Sequence, residues 1–142
     1  MSNYFIATTT HDSGATEVAI PFNYIASVAQ IKGKPITTIQ LKESARPDAH
    51  YLIDGTLNDV VKQLHEKGVL TAIFDKSQNT INDYDRFAIP LTNIASFNRD
   101  NMDMCTLINL RQAAGQATCF ATDESVRAVD QSITRVKNLY IE

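Results

Sequence analysis

The sequence predicts an α+β fold in which antiparallel sheets carry one amphipathic helix per half of the chain. The first observation is a repeat: VAIPFNYIASV at residues 18–28 returns as FAIPLTNIASF at residues 87–97, 69 positions later (87 minus 18). The second is that each half contains a run of short strands followed by one helix, which favours antiparallel over parallel sheets. We therefore interpret the chain as an internal duplication of a ββββα unit. Residues 1–69 form the first repeat and residues 70–142 the second, packed as one compact body.

The first strands of each half are predicted from alternation and from proline. Residues 4–9 have β-propensity, and residues 18–22 alternate between apolar and small or polar side chains. Pro21 cannot donate to a strand ladder, so the strand is expected to break there and to resume at Ile25. Its copy, Pro90, predicts the same break in the second half.

Two further strands complete each unit before the helix begins. They are predicted over residues 37–42 and 50–54 in the first half, and over residues 106–111 and 118–122 in the second. Each unit is therefore expected to be an antiparallel meander.

The helices are predicted from apolar positions at the spacing i, i+3, i+4 and i+7. In the first half Thr56 with Asp59 makes a capping-box-like start, and Gly68 supplies a stop. Ser125 is the aligned cap in the second half. The apolar stripes are Leu57, Val60, Val61 and Leu64, and then Val126, Val129, Ile133 and Val136.

Composition limits the class of protein. With 142 residues, 44% hydrophobic and 20% charged, the chain is long enough for a substantial core. A formal net charge of -3 gives no overall field that attracts phosphate backbones or anionic membranes. Neither a signal-peptide pattern nor an apolar run of membrane-spanning length is present, so we expect a cytoplasmic protein without a membrane partner.

The two cysteines, Cys105 and Cys119, both fall in the second half. A hairpin around residues 113–115 would place Cys105 opposite Thr122, a register that does not suit a disulfide with Cys119. We expect both to be small buried apolar residues, with a free reactive thiol as the alternative.

Motifs for catalysis, metals and cofactors are absent from the sequence. The glycines are isolated, no Cys-x-x-Cys occurs, and His11, His50 and His65 lie in a loop, a strand and a helix. We therefore expect a protein that is not an enzyme and has no metal or cofactor. An enzyme that uses His50 as its base remains an alternative.

Binding is the more natural use of two related units. Lys42 and Arg111 occupy aligned positions at a strand exit, and Phe5 and Phe74 occupy aligned positions near a strand entry. A cation pair with an aromatic pair suits a small anionic, nucleotide-like ligand at the repeat interface. The simpler alternative makes the phenylalanines core residues and the cations solvated strand ends.

Two loops and the carboxyl terminus are candidates for protein contacts. The aligned loops differ in charge and supply the candidate interaction residues Lys32, Lys34, Asp100, Asn101 and Met102. Residues 139–141 align with residues 70–72 and could form a further first strand that pairs with a neighbouring copy. A homo-oligomer is therefore expected.

The repeated pattern also carries family resemblances. Ile-Pro-x-x-x-Ile, then Thr-x-Ile-x-Leu, then Tyr-Leu-Ile-Asp-Gly-Thr and an amphipathic helix resembles small FlbD-like proteins and, more distantly, pleckstrin-like modules. The unit layout is also similar in outline to Whirly and PUR proteins, which implies binding of single-stranded nucleic acid. The main hypothesis is a non-enzymatic protein that binds a small anionic ligand or a protein partner. Single-stranded nucleic-acid binding is the alternative, which the net charge disfavours.

Overall fold

The computed structural model describes residues 3–9, 17–43, 50–78, 84–102, 104–114 and 118–140. The described part is an α+β fold, as the sequence predicts. The first-half elements are β1 (Tyr4–Thr8), β2 (Glu17–Pro21), a first 3₁₀ turn (Phe22–Tyr24), β3 (Ile25–Ile31), β4 (Ile36–Leu41), β5 (His50–Asp54) and α1 (Leu57–Glu66). The second-half elements are β6 (Thr71–Asp75), β7 (Tyr84–Pro90), a second 3₁₀ turn (Leu91–Asn93), β8 (Ile94–Asp100), β9 (Cys105–Leu110), β10 (Cys119–Thr122) and α2 (Val126–Tyr140).

Three antiparallel sheets form from these strands. The largest has the order β5-β4-β3-β7-β6, so strands of both halves lie side by side in it. The other two are the β1-β2 pair and the sheet β10-β9-β8. The join between the halves is the β3–β7 pairing, in which Val28 lies opposite Ala88 and Ala29 opposite Phe87.

The five-stranded sheet has a hydrophobic core on each face, because successive strand residues point to opposite sides. Val28 and Ala88 belong to the first core, together with residues of the β1-β2 pair and α1. Their neighbours Ala29 and Phe87 belong to the second core, together with residues of the three-stranded sheet and α2. Each helix therefore covers the core of its own half.

The two predicted proline breaks are confirmed. Pro21 has φ -56° and ψ 132°, Pro90 has φ -56° and ψ 133°, and each begins a three-residue 3₁₀ turn. The turn carries the chain from one sheet into another, so the long strand expected on either side of the proline is two strands. The described residues of each half consequently form five strands rather than four.

The helices begin where the sequence predicts. The Thr56 hydroxyl accepts the Asp59 N–H at 3.3 Å, and the Ser125 hydroxyl accepts the Ala128 N–H at 3.1 Å. The second helix, however, continues through Leu139 to Tyr140. The expectation of a further strand at residues 139–141 is therefore wrong for the first two of these positions, and the third lies outside the described residues.

The 69-position alignment fails in the first strand. Phe74 lies opposite Phe87 in the β6–β7 pair, but Phe5 lies opposite Ile20 in the β1–β2 pair. The residue opposite Val18, the aligned counterpart of Phe87, is Ala7. Phe5 and Phe74 are thus displaced by two residues relative to their partners, and the predicted equivalence of the two phenylalanines is wrong.

Candidate functional site

The antiparallel strands sort the connections between elements into two ends of the molecule. We call the 3₁₀ end the one that carries both 3₁₀ turns, the β4–β5 and β9–β10 connections, and the carboxyl ends of α1 and α2. We call the hairpin end the opposite one, with the β3–β4 and β8–β9 turns and the amino ends of both helices. At this end the start of α1 is joined to β3 by a hydrogen bond from the Leu57 N–H to the Gln30 side chain at 3.2 Å.

Lys42 and Arg111 occupy matching backbone positions at the 3₁₀ end. The Lys42 N–H donates to the Tyr24 carbonyl at 2.8 Å, and the Arg111 N–H donates to the Asn93 carbonyl at 2.8 Å. Lys42 is half-buried, whereas Arg111 is exposed and its Nε donates to the Ile94 carbonyl at 3.2 Å. The structure thus brings this predicted cation pair to one end of the molecule.

The chain after β9 fixes the position of the two cations relative to each other. The Ala114 N–H donates to the Leu41 carbonyl at 2.8 Å, and the Ala114 carbonyl accepts from the Gln40 side chain at 3.1 Å. Gln40 is buried and also accepts a bond from the Ser27 hydroxyl at 2.6 Å. The segment that follows Arg111 is therefore anchored beside Lys42.

A cavity of about 450 Å³ opens at the 3₁₀ end beside Lys42. Its other lining residues come from both 3₁₀ turns, the segment after α1, the start of β3 and the end of α2: Phe22, Asn23, Ile25, Gly68, Val69, Leu70, Pro90, Leu91, Thr92 and Lys137. A backbone bond from Leu91 to the Leu70 carbonyl, 2.9 Å long, joins two of its walls. The cavity is therefore largely apolar and has two lysines among its lining residues.

The described charges are distributed unevenly between the two ends. At the 3₁₀ end the basic residues are Lys42, Lys67, Arg111 and Lys137, and the carboxylates are Glu43 and Glu66. At the hairpin end the carboxylates are Glu17, Asp54, Asp59, Asp75, Asp85, Asp100, Asp123 and Glu124, with Lys32, Lys34, Lys76, Arg86, Arg99 and Arg127 among them. Lys62, Asp130 and Arg135 lie between the two ends, within the helices. Comparing the described residues of the two ends, cations outnumber carboxylates at the 3₁₀ end and carboxylates outnumber cations at the hairpin end.

Phe5 and Phe74 do not join the cation pair. Each is 1% exposed, and the two lie in separate cores on opposite faces of the five-stranded sheet. Phe5 packs edge-on against Phe22 with ring centroids 6.2 Å apart, and Phe74 lies 5.6 Å from Phe87. The structure therefore gives both phenylalanines the core role that was the simpler alternative.

The predicted interaction loops lie at the hairpin end. Lys32 and Lys34 are exposed on the β3–β4 turn, where the Gly33 N–H donates to Asp85 at 3.4 Å. On the β8–β9 turn the Met102 N–H donates to the Asp100 carboxylate at 3.0 Å, and the Asn101 side chain is exposed. These loops are remote from Lys42 and Arg111, and their role in binding stays a prediction.

The sequence did not single out three other residues of the 3₁₀ end. Tyr24 is 44% exposed and bonded through its carbonyl to Lys42. Asn93, its aligned counterpart, is buried and bridges the two halves. Lys137 comes from the last turns of α2. The signal that could have revealed the first two is the Tyr-to-Asn difference within an otherwise similar repeat.

The cysteines and histidines form no metal-binding cluster among the residues that the structure describes. Both thiols are free, in agreement with the prediction, and Cys105 is buried, but Cys119 is exposed, so its predicted burial is wrong. Burial and the neighbouring Cys119 raise the pKa of Tyr84 to about 12.

The two described histidines lie in the first half of the chain. His50 lies on β5 opposite Gln40, and His65 Nε2 accepts the Thr71 N–H at 3.1 Å.

No helix in the described ranges combines the length and the apolar character needed to cross a membrane.

No protein-family model matches the chain, and no curated protein is found as a relative. Among solved structures, the chain is similar to a LytTr DNA-binding domain from Bacillus cereus, with a TM-score of 0.56 and 11% sequence identity. The match covers 94% of this chain and 98% of that domain. The likeness shows that this chain has a fold of the LytTr kind.

Proposed function

We propose that this protein binds DNA through its 3₁₀ end. The observation that carries the proposal is the likeness of fold, which extends over 94% of the chain, to a domain that binds DNA. Fold alone does not determine function, so the proposal also needs a surface with the appropriate chemistry. The charge distribution supports one.

Phosphate contacts require cations that are not surrounded by carboxylates, and the 3₁₀ end meets this requirement. Lys42, Lys67, Arg111 and Lys137 are spread over four different segments of it. The net charge of -3 disfavoured nucleic-acid binding when only the sequence was considered. Charges are screened beyond about 10 Å at 0.1 M salt, however, so a phosphate backbone responds mainly to the charges nearest to it. The hairpin end, which is rich in carboxylates, would then point away from the DNA.

The exposed side chains beside these cations can supply base contacts. Asn23 and Thr92 are exposed at aligned positions of the two 3₁₀ turns, where amide and hydroxyl groups can reach base edges. Tyr24 presents an exposed ring next to Lys42, which suits stacking on an unpaired base. A duplex would use mainly the first pair of residues, and a single strand the tyrosine.

Fluorescence anisotropy tests the proposal with a labelled duplex of mixed sequence and with one of its strands, at low salt. The decisive variant is Lys42→Gln with Arg111→Gln, and its matched control is Lys62→Gln with Arg127→Gln, which removes the same charges from exposed helix positions. We expect affinity to fall with salt, and the slope of log K against log salt to flatten by about 2 in the decisive variant. The control should keep the wild-type slope.

Two outcomes would overturn the proposal. One is the absence of binding to either probe at low salt by protein whose circular dichroism is native. The other is an equal loss of affinity in the decisive variant and its control. Comparison of Tyr24→Ala on the two probes then distinguishes the mode, because loss of a stacking ring costs about 1–3 kcal/mol on a single strand.

A further inference from the structure

The cavity at the 3₁₀ end has apolar walls, which binding of a nucleic-acid backbone would not require. Most of its lining is apolar and includes Phe22, Ile25, Val69, Leu70 and Leu91. Its volume of about 450 Å³ falls in the range of sites for small molecules, about 300–1,000 Å³. The cavity can therefore hold the apolar body of a small organic compound.

Two lysines in the lining favour a negatively charged ligand in the cavity. Lys42 and Lys137 line it, one from the end of β4 and one from the last turns of α2. Neither lysine forms an ion pair with a carboxylate in the described part of the chain. A third lysine, Lys67, lies over the Phe22 ring at 5.8 Å from its centroid and adds to the positive field.

We infer that this cavity binds a small organic anion, with its apolar body between the two 3₁₀ turns and its carboxylate at Lys42 and Lys137. Apolar walls lower the local dielectric constant, so the attraction between a carboxylate and the two ammonium groups is stronger there than on an open surface. Inorganic phosphate lacks the apolar body and would leave the walls in contact with water. The site is thus expected to distinguish amphiphilic anions from simple ones.

The position of the cavity gives its occupant contacts with both halves of the chain. Phe22 and Val69 come from the first half, and Leu91 and Lys137 come from the second. A ligand that binds only the folded arrangement of these walls stabilises it by RT ln(1 + L/Kd) at free ligand concentration L, so the melting temperature rises with ligand concentration. This inference does not depend on DNA binding, because its measurement uses no nucleic acid.

Isothermal titration calorimetry with decanoate tests the inference, together with thermal unfolding in the same series. We expect saturable binding at one site per chain with a Kd below about 1 mM, and a melting temperature that rises with decanoate. Decanamide has a matching apolar body without the charge and should bind at least about tenfold more weakly. Phosphate should neither bind nor compete.

Two variants locate the site. Lys42→Gln with Lys137→Gln should weaken decanoate binding about tenfold or more, whereas Lys62→Gln with Arg127→Gln, which removes equal charge elsewhere, should not. Val69→Phe places a ring in the cavity and should abolish binding with both lysines present. The inference is overturned by non-saturable binding, by equal affinity for decanoate and decanamide, or by wild-type affinity in Val69→Phe protein with native circular dichroism.

Discussion

The side-chain amide of Asn93 donates a hydrogen bond to the carbonyl of Ala26, 67 residues earlier in the chain, at a distance of 3.0 Å. The same amide nitrogen also donates to the Gln112 carbonyl at 2.9 Å, and the amide oxygen of Asn93 accepts the Gln112 N–H at 3.0 Å. Asn93 is 1% exposed, and its bond to Ala26 is buried. One side chain therefore connects the second 3₁₀ turn, β3 of the first half and the segment after β9.

Asn93→Ala should destabilise the protein by about 2–4 kcal/mol, because it leaves the buried Ala26 carbonyl and two part-buried backbone groups of Gln112 without this partner. The measurement is urea unfolding followed by circular dichroism. Asn109→Ala is the matched control, because the Asn109 amide donates to the side chains of Ser96 and Asn98 in exposed surroundings. Its loss should cost less than about 1 kcal/mol. Equal costs for the two variants would contradict the bridging role of Asn93.

Gly55 should be sensitive to replacement for a different reason. Its φ of +133° lies in a region that only glycine adopts readily, and its N–H donates to the Pro35 carbonyl at 2.8 Å. A Cβ at this position would meet no atom within 4 Å, so the cost of Gly55→Ala is that of the backbone alone, about 1–3 kcal/mol. Urea midpoints of this variant give the measurement.

Gly33→Ala provides the comparison for Gly55. Gly33 has φ +71°, in the left-handed helical region, where an alanine costs about 1–2 kcal/mol. Its Cβ would also meet nothing within 4 Å. A smaller loss of stability at Gly55 than at Gly33 would contradict the assignment of strain to the unusual φ of Gly55.

Features encoded by neighbouring residues could be predicted from the sequence. The breaks at Pro21 and Pro90 follow from the fixed φ of proline and its missing N–H. The starts of both helices follow from hydroxyl caps such as Thr56 ahead of an apolar stripe. The aligned positions of Lys42 and Arg111 at strand exits were also predicted, because both follow directly on apolar strand residues.

Features that depend on distant pairing could not be predicted in this way. The displacement of Phe5 by two residues leaves every side chain on the same face, so a pattern of period two is satisfied by either register. The pairing of β3 with β7, and the bridge from Asn93 to Ala26, join residues whose closeness no local pattern records. The cavity lies where the two halves meet, so no local pattern could predict that Lys137 lines it.

Acid should weaken the contact between the segment after β6 and the end of β10. The backbone N–H of Gln78 at 3.0 Å, then the hydroxyl of Ser77 at 2.6 Å, lower the pKa of Asp123 from its ordinary value of 3.8. A pKa that is lower in the folded state adds stability above the unfolded pKa, and this stability is lost as the pH falls through the folded pKa. The effect is therefore confined to the range below about pH 4.

The free energy of unfolding of wild-type protein and of Asp123→Asn, measured as a function of pH, checks this prediction. The difference between them should be largest above about pH 5 and should shrink as the pH falls through the lowered pKa of Asp123, because the wild-type carboxylate then becomes protonated. Asp100→Asn serves as a control, because it removes a carboxylate from the same end of the molecule. A difference for Asp123→Asn that is constant over this pH range would contradict the role of the charge.

The two cysteines should differ in their reaction with a thiol reagent such as 5,5′-dithiobis(2-nitrobenzoate). Cys119 is exposed on β10, whereas Cys105 is 1% exposed at the start of β9 and can react only when that strand opens. Native protein should therefore release one equivalent of thionitrobenzoate rapidly and a second one only as urea unfolds it. Cys119→Ser should remove the fast phase, and Cys105→Ser should leave it unchanged. A fast phase that survives in Cys119→Ser protein with native circular dichroism would contradict the burial of Cys105, because β9, the central strand of the three-stranded sheet, would then open far more often than its hydrogen bonds indicate.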